Sequence, residues 1–218
     1  MRVPHHPPHG RSIHPPAIVF ATILLFIPLA AYSQRGAITL PRNLVDLTST
    51  ANQIVQGRVV SATVEPDPQY RNLKTLVLTL AVDDILKGTA EKTFTFREFL
   101  WDLRDISDRA GYHVGDEVLL FLNRPTNLGL VSPVGLQQGR FRVVRGADGQ
   151  DYALNGNQNF GLMDNVVRSS ALNPAKLSAK SRATVQSFQR GPIGLSALKE
   201  SIQLLVQNPA LQNSGTVR

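Results

Sequence analysis

Cysteine is absent from this sequence of 218 residues, and tryptophan occurs once and methionine twice. Without cysteine the chain cannot form a disulfide, a thiolate zinc site or a cysteine nucleophile, and it has no cysteine to carry an N-terminal lipid. Many exported proteins use disulfides, so an exported chain without them depends on its core alone for stability. This tendency favours bacterial export over an animal secretory route.

Histidine is scarce as well, with five in the whole chain and four of them in the first 14 residues. His113 is the only histidine beyond that segment, so a three-histidine metal site is excluded by count. No G-x-S-x-G elbow, Walker loop or G-x-G-x-x-G after a strand occurs in the sequence. We therefore expect no cofactor, no metal site and no catalytic residue.

The first 33 residues have the pattern of a secretory signal peptide. "MRVPHHPPHGRSIHPP" has two arginines and no acid, "AIVFATILLFIPLAA" is uncharged and apolar, and Ala31 and Ser33 form a small-x-small exit. The apolar run is shorter than the roughly 20 residues of a membrane-spanning helix, and Pro28 interrupts it. We expect cleavage after Ser33, a secreted or periplasmic location, and membrane contact only through this segment before cleavage. An uncleaved membrane anchor is the alternative.

The remaining chain carries 21 basic and 16 acidic residues, because the predicted signal peptide contributes two arginines and no acid. The resulting net charge of +5 is mild and spread along the sequence. Nucleic-acid binding usually depends on a concentrated basic patch. We therefore expect no nucleic-acid partner.

Residues 34–163 are predicted to form a mainly β domain. "QIVQGRVVSATVEP", "LKTLVLTLAVDDILKG" and "EKTFTFREF" read as strands, and "GDEVLLFLNRP" is apolar on both faces, as in a central strand. Shorter strands are predicted at "GLVSPVG", "QGRFRVVRG" and "DYALNGN", with a hairpin turn at "GADGQ". Leu44, Leu47 and Ala51 have helical spacing and predict a short N-terminal helix. Because no helices alternate with the strands, we expect a five- to eight-stranded OB-like β-barrel.

The chain changes character after the predicted barrel. From Asn165 to Pro192 it is rich in serine, alanine and asparagine, with five bases and no acid, so residues 164–191 are predicted to be a basic polar linker. Residues 192–218 are predicted to contain a C-terminal amphipathic helix and tail. Its apolar face, which we expect to dock on the barrel or on a partner, comprises Leu195, Leu198, Ile202, Leu205 and Val206.

Two acidic clusters are candidates for chemistry. Asp83 and Asp84 are neighbours on a predicted strand, so their carboxylates point to opposite faces and cannot act on one substrate atom. Asp102, Asp105 and Asp108 are three residues apart, but their spacing does not match a calcium-binding loop. Pairing with nearby arginines at i,i+4 favours a solvated, salt-paired segment.

The long connection before "GDEVLLFLNRP" is the best candidate for a binding surface. It contains the only tryptophan together with other aromatic residues and arginines, a combination typical of recognition loops. The predicted binding residues are Arg97, Phe99, Trp101, Arg104, Tyr112 and His113. The favoured function is a non-catalytic binding module for a protein or a cell-envelope polymer. Two alternatives remain: a hydrolase using His113 and the Asp102–Asp108 loop, and a structural component of a surface assembly docked through helix 195–206.

Three segments in order, "ANQIVQGRVVSATV", "LTLAVDDILKGTAEKTFTF" and "GYHVGDEVLLFLN", resemble the netrin-like and tissue-inhibitor-of-metalloproteinase-like modules. The resemblance covers about residues 50–123, and its most specific elements are Leu86-Lys87-Gly88 and Gly115-Asp116-Glu117. It implies a five-stranded OB-type barrel. The inhibitors chelate the protease zinc through an N-terminal cysteine, which this chain lacks, so the resemblance implies the fold without the inhibitory mechanism. Residues 50–163 also resemble a group of uncharacterised secreted bacterial proteins with "FREFLWDLRD", "GLVSPVGLQQGRFRV" and an "NGN…GL" ending.

Overall fold

The computed structural model describes residues 40–166, 168 and 171–208, so the predicted signal peptide lies outside the described residues. The prediction of a mainly β fold is confirmed, because seven strands form one antiparallel sheet accompanied by four helices. The strands are β1 (Gln53–Pro66), β2 (Lys74–Lys87), β3 (Thr93–Phe99), β4 (Glu117–Leu122), β5 (Arg140–Arg145), β6 (Asp151–Asn155) and β7 (Ile193–Gly194). The helices are α1 (Leu44–Thr50), α2 (Leu103–Ser107), α3 (Ala179–Ser187) and α4 (Leu195–Val206).

The strand order is β3-β2-β1-β4-β5-β6-β7, and every neighbouring pair is antiparallel. Over the described residues the sheet is not closed into a barrel. The segment "GLVSPVG", predicted as a strand, makes only two isolated bridges, from Leu130 to Arg97 and from Pro133 to Leu122. Backbone hydrogen bonds flank Pro133 on both sides, from the Asn123 amide to the Ser132 carbonyl at 3.0 Å and from the Val134 amide to the Phe121 carbonyl at 2.7 Å.

The two longest strands, β1 and β2, begin and end close to where the alternation of side chains predicted. They pair from Ile54↔Lys87 to Pro66↔Lys74, and the register shifts at three places. One shift lies at Gly57, where a Cβ atom would come within 2.4 Å of the carbonyl oxygen of Ala81. Only glycine permits this close approach, and it lets β1 bend while it pairs with both β2 and β4.

Helix α1 is fixed at both ends by side chains. Asn43 and Asp46 form a reciprocal capping box at its start. At its other end the ammonium of Lys87 donates to the carbonyl oxygens of Thr48 at 2.7 Å and Ser49 at 3.3 Å. Burial lowers the pKa of Lys87, but bonds to the last carbonyls of a helix suit a cation. The lysine of the "LKG" motif therefore joins the end of β2 to α1.

The sheet separates two apolar cores, which follow from the alternation of side chains along its strands. Strand β4 is buried on both faces, as predicted for a central strand. Leu119 and Phe121 belong to the core on the side of the helices, called here the helix-side core. Leu120 and Leu122 belong to the second core, to which β1, β2, β3 and β4 all contribute. The second core also contains Val55, Val59, Leu76, Leu78, Leu80, Phe96 and Tyr112.

The described residues between 164 and 191 differ from the predicted linker. They contain a 3-10 turn at Pro174–Lys176 and the helix α3, and their apolar side chains lie in the helix-side core. The buried residues are Val166, Leu172, Leu177 and Val185. This polar segment can fold because its few apolar side chains pack against the large apolar face of the sheet.

Helix α4 packs on the chain's own sheet. Leu195, Leu198, Ile202 and Leu205 of the predicted apolar face are buried in the helix-side core. The helix begins after Gly194 without a side-chain cap. None of the helices in the described part of the chain is long and apolar enough to cross a membrane.

Candidate functional site

The predicted binding residues lie at the end of β3 and in the following connection, Leu100–Asp116, called here the β3–β4 connection. Two of its acidic residues organise its backbone. The Asp102 carboxylate accepts a hydrogen bond from the Asp105 amide at 2.8 Å and caps α2. The Asp105 carboxylate in turn accepts one from the Trp101 amide at 3.2 Å. Both carboxylates therefore shape the connection from within.

Trp101 is an exposed aromatic residue of this surface, with 58% of the residue exposed. Its ring meets Phe99 edge to face, with ring centroids 5.0 Å apart and an interplanar angle of 82°. This is a favourable aromatic geometry, and the partly buried Phe99 supports the exposed indole from below. The tryptophan is thus held in place by a ring contact and a backbone hydrogen bond.

His113 lies between two carboxylates. Its Nε2 is 3.4 Å from Asp108 Oδ1, and its Nδ1 is 3.4 Å from Asp116 Oδ2. The backbone amide of His113 also donates to Asp116 at 3.2 Å. The side chain is 53% exposed. Since both ring nitrogens face carboxylates, neither faces a hydroxyl nucleophile.

The two predicted arginines have different surroundings. Arg97 donates to the Thr75 hydroxyl at 2.6 Å and lies 3.4 Å from the Glu65 carboxylate, so its guanidinium ties β3 to β2 and β1. Its side chain is only 23% exposed. Arg104 is exposed on α2. Of the two, Arg104 is therefore the more exposed.

Tyr112 is 1% exposed and lies in the second core, away from the surface on which it was predicted. The Arg140 guanidinium carbon is 4.5 Å from the centre of its ring, a cation–π contact. Arg140 also donates to the carbonyl of Ala110 and, at 2.8 Å, to the side chain of Gln137. Tyr112 thus anchors the end of the β3–β4 connection inside the protein.

Glu98 completes this buried group, and the sequence analysis did not single it out. It is 7% exposed and follows Phe94 and Phe96 at intervals of two, so the strand alternation places it on their inward side. This spacing of two residues is visible in the sequence. A carboxylate in phase with two phenylalanines on one strand predicts a buried acid.

Burial raises the pKa of Glu98 to about 7, because water no longer solvates its charge. The charge of Arg140 and the Tyr112 hydroxyl act in the opposite direction, and the charge of Asp105 adds to the rise. Burial, followed by the nearby charge of Glu98, also raises the pKa of Tyr112. Although the two groups influence each other, Glu98 Oε2 and Tyr112 Oη make no hydrogen bond of ordinary geometry.

A second concave feature lies between α4 and the β5–β6 hairpin, which the sequence analysis did not foresee. This groove has a volume of about 530 Å³. Its charged walls include Lys199, 2.6 Å from Asp84, and Arg145, 2.9 Å from Asp151. These charges neutralise each other in pairs, so the groove presents no concentrated charge of one sign.

The structure therefore brings the predicted residues into four settings: a surface with Phe99, Trp101 and Arg104, a buried group around Tyr112, a carboxylate-flanked His113, and Arg97 between the strands. Within residues 40–166, 168 and 171–208, no three histidine or acidic side chains converge as a metal-binding cluster. No protein-family model matches the chain, and comparisons with curated proteins and with solved structures give no significant match.

Proposed function

We propose that this chain is an exported, non-catalytic binding module that recognises a protein or a polymer of the cell envelope. The observation that carries the proposal is Trp101, an exposed indole fixed against Phe99 on the β3–β4 connection. Rigid, exposed aromatic rings are characteristic of recognition surfaces because they offer apolar area at little entropic cost. The adjacent Arg104 and the carboxylates around His113 add polar groups at the rim.

We also infer that β3, β2, β1 and β4 curl around the second core as an OB-like barrel. Two contacts of the segment 130–133 support this inference. The Val131 amide donates to the Arg97 carbonyl on β3, and the Asn123 amide, just after β4, donates to the Ser132 carbonyl. One short segment thus contacts both outer strands of this four-stranded part. In OB-type barrels the ligand-binding face and loops lie next to these strands.

A co-sedimentation experiment tests the proposed function. The full chain is mixed with an insoluble envelope fraction of the producing organism, before and after protease digestion of that fraction. We expect the wild-type chain to sediment, with loss of binding after digestion if the partner is a protein and retention if it is a polymer. Trp101→Ala should lose at least tenfold in affinity.

Phe160→Ala is the matched control, because Phe160 is an aromatic residue with 64% exposure outside the β3–β4 connection. It should bind like the wild type. Equal losses in both variants, or no sedimentation of the wild-type chain with either fraction, would contradict the proposed function. Because Trp101 is the only tryptophan, its fluorescence on addition of solubilised partner reports directly on this surface.

A hydrolase is the second candidate, and the contact between His113 and Asp108 is the observation that favours it. A histidine supported by a carboxylate is two thirds of a catalytic triad. The second nitrogen, however, faces Asp116 instead of a hydroxyl. His113→Ala distinguishes the two proposals: binding should persist in this variant, and abolition of a measured hydrolysis would favour the enzyme.

A structural role in an assembly would require a surface other than the apolar face of α4. That face packs against β6, β7 and the remainder of the helix-side core. Deletion of residues 191–218 would remove core side chains, so a lost complex would reflect unfolding. Substitutions on the exposed side of α4, such as Gln203→Ala, test the assembly proposal without this complication.

A further inference from the structure

The backbone just before Tyr112 is strained. Arg109 and Ala110 have φ angles of 49° and 52°, and Gly111 follows with 78°. Residues other than glycine rarely adopt this left-handed backbone conformation. Two such residues in succession persist only when surrounding contacts hold them. The contacts here are the hydrogen bond from Arg140 to the Ala110 carbonyl and the insertion of the Tyr112 ring.

The Tyr112 ring is inserted into the second core, and its hydroxyl is buried there without a hydrogen bond of ordinary geometry. Glu98 Oε2 is likewise buried and makes no hydrogen bond of ordinary geometry. A buried polar atom without a partner destabilises the arrangement that buries it, and a buried carboxylate charge does so more strongly. The inserted state therefore depends on which protonation state Glu98 adopts.

The groups that face Glu98 come from three elements. Arg140 on β5 favours the ionised form, Asp105 on α2 opposes it, and the hydroxyl of Tyr112 favours it. On β2 the residue paired with Glu98 is the apolar Leu76. Arg140 is engaged by Ala110 and Gln137, so it does not supply a direct ion pair to the carboxylate. Water is the partner that could satisfy an ionised Glu98, and it can enter only if the segment over it moves.

We propose that residues 109–113 are a pH-dependent switch, in which protonated Glu98 keeps Tyr112 inserted and ionised Glu98 releases the β3–β4 connection to admit water. The switch goes beyond the proposed function, because it concerns the free chain and needs no ligand. Its midpoint lies near neutral pH, since burial raises the pKa of Glu98 to about 7. If Trp101 binds a partner, release of the connection then makes the affinity pH-dependent.

Fluorescence of the full chain tests the switch without a ligand, because Trp101 lies in the connection that moves. Between pH 5.5 and 8.5 we expect the wild-type emission to change sigmoidally with a midpoint near 7. Glu98→Gln stays neutral at every pH, so it should keep the low-pH spectrum throughout. Tyr112→Phe should shift the midpoint upward, because the hydroxyl lowers the pKa of Glu98.

His113→Gln is the necessary control, since His113 lies in the same segment and contacts Asp108 and Asp116. This variant should retain the wild-type transition. A transition that survives in Glu98→Gln, or disappears in His113→Gln, would overturn the proposal, as would a wild-type emission that stays constant across the range.

Amide hydrogen exchange gives a second readout that does not depend on the indole. The amides of Gly111 and Tyr112 are hydrogen-bonded to Asp108 and Arg109 in the inserted state. Between pH 5.5 and 7 their protection factors should fall by up to tenfold per pH unit in the wild type, after correction for intrinsic exchange, and they should stay constant above pH 7. They should stay constant in Glu98→Gln. Equal protection in the two proteins at pH 8.5 would exclude the switch.

Discussion

Lys199 Nζ lies 2.6 Å from Asp84 Oδ2, so an ion pair joins α4 to β2. The same ammonium donates to Gln56 on β1 at 2.9 Å, and Gln56 donates to Glu117 on β4 at 2.6 Å. One series of polar contacts thus connects four elements. The buried side-chain amide of Gln56 takes part with both its oxygen and its nitrogen. This series of contacts fixes the position of α4 along the sheet, which apolar packing alone leaves free to slide.

A double-mutant cycle with Lys199→Met and Asp84→Asn measures this contribution. We expect a coupling free energy of about 1 kcal/mol in urea unfolding, because the pair is partly buried and its cation has a second acceptor. Arg145 and Asp151 form the matched control pair, with 69% and 36% exposure. Their coupling should be below about 0.5 kcal/mol. Similar values for both pairs would show that burial and the Gln56 contact do not matter.

The sequence predicted which faces of β2 Asp83 and Asp84 occupy, but not which residues they contact. Alternation along β2 correctly separates Asp83, which is exposed, from Asp84 on the other face. The partner of Asp84 lies on α4, more than 100 residues further along the chain, and no local pattern links them. The same limit applies to Glu98. Its spacing from Phe94 and Phe96 indicated burial, but the approach of Arg140 from β5 depends on the sheet topology.

Gly57 offers a sharp test of the bend in β1. Gly57→Ala should destabilise the fold by about 3 kcal/mol or more, because its new Cβ would lie 2.4 Å from a backbone oxygen that cannot rotate away. Gly194→Ala is the control, since a Cβ there has no heavy atom within 4 Å. It should change stability by less than about 1 kcal/mol. Urea unfolding followed by circular dichroism checks both, and equal midpoints would contradict the close approach.

Limited trypsin digestion tests the packing of residues 171–188. A flexible linker would be cut rapidly at its exposed basic residues, among them Lys176 and Lys180. We expect wild-type cleavage there to be slow, because Leu177 and Val185 are anchored in the helix-side core. Val185→Asp should accelerate cleavage at these sites at least tenfold. The neighbouring Gln186→Asp, at an exposed position, should leave the rate unchanged.

The composition of this segment led to the prediction of a linker for a physical reason. A stretch with few apolar residues and many polar ones usually cannot bury enough surface to stay ordered by itself. Here Leu172, Leu177 and Val185 need not form a core among themselves, because the sheet and α4 already present an apolar surface. Average composition cannot indicate that three well-spaced side chains are sufficient when the opposing surface comes from elsewhere in the chain.

Glu98 also determines how the free energy of unfolding depends on pH. Its pKa is about 7 in the folded chain, against an ordinary value of 4.5, so folding favours the protonated form. Below pH 4.5 the group is protonated in both states and gives no penalty. As the pH rises from about 4.5 to 7 the unfolded chain loses its proton first, so the folded state loses up to about 3 kcal/mol of stability, and above pH 7 the loss stays constant. Glu98→Gln should abolish this loss, so its unfolding free energy relative to the wild type should rise by about 3 kcal/mol between pH 4.5 and 8.5. The difference between the two proteins removes the contributions of all ionisable groups that they share. A difference that is independent of pH would mean that Glu98 is solvated as an ordinary surface acid.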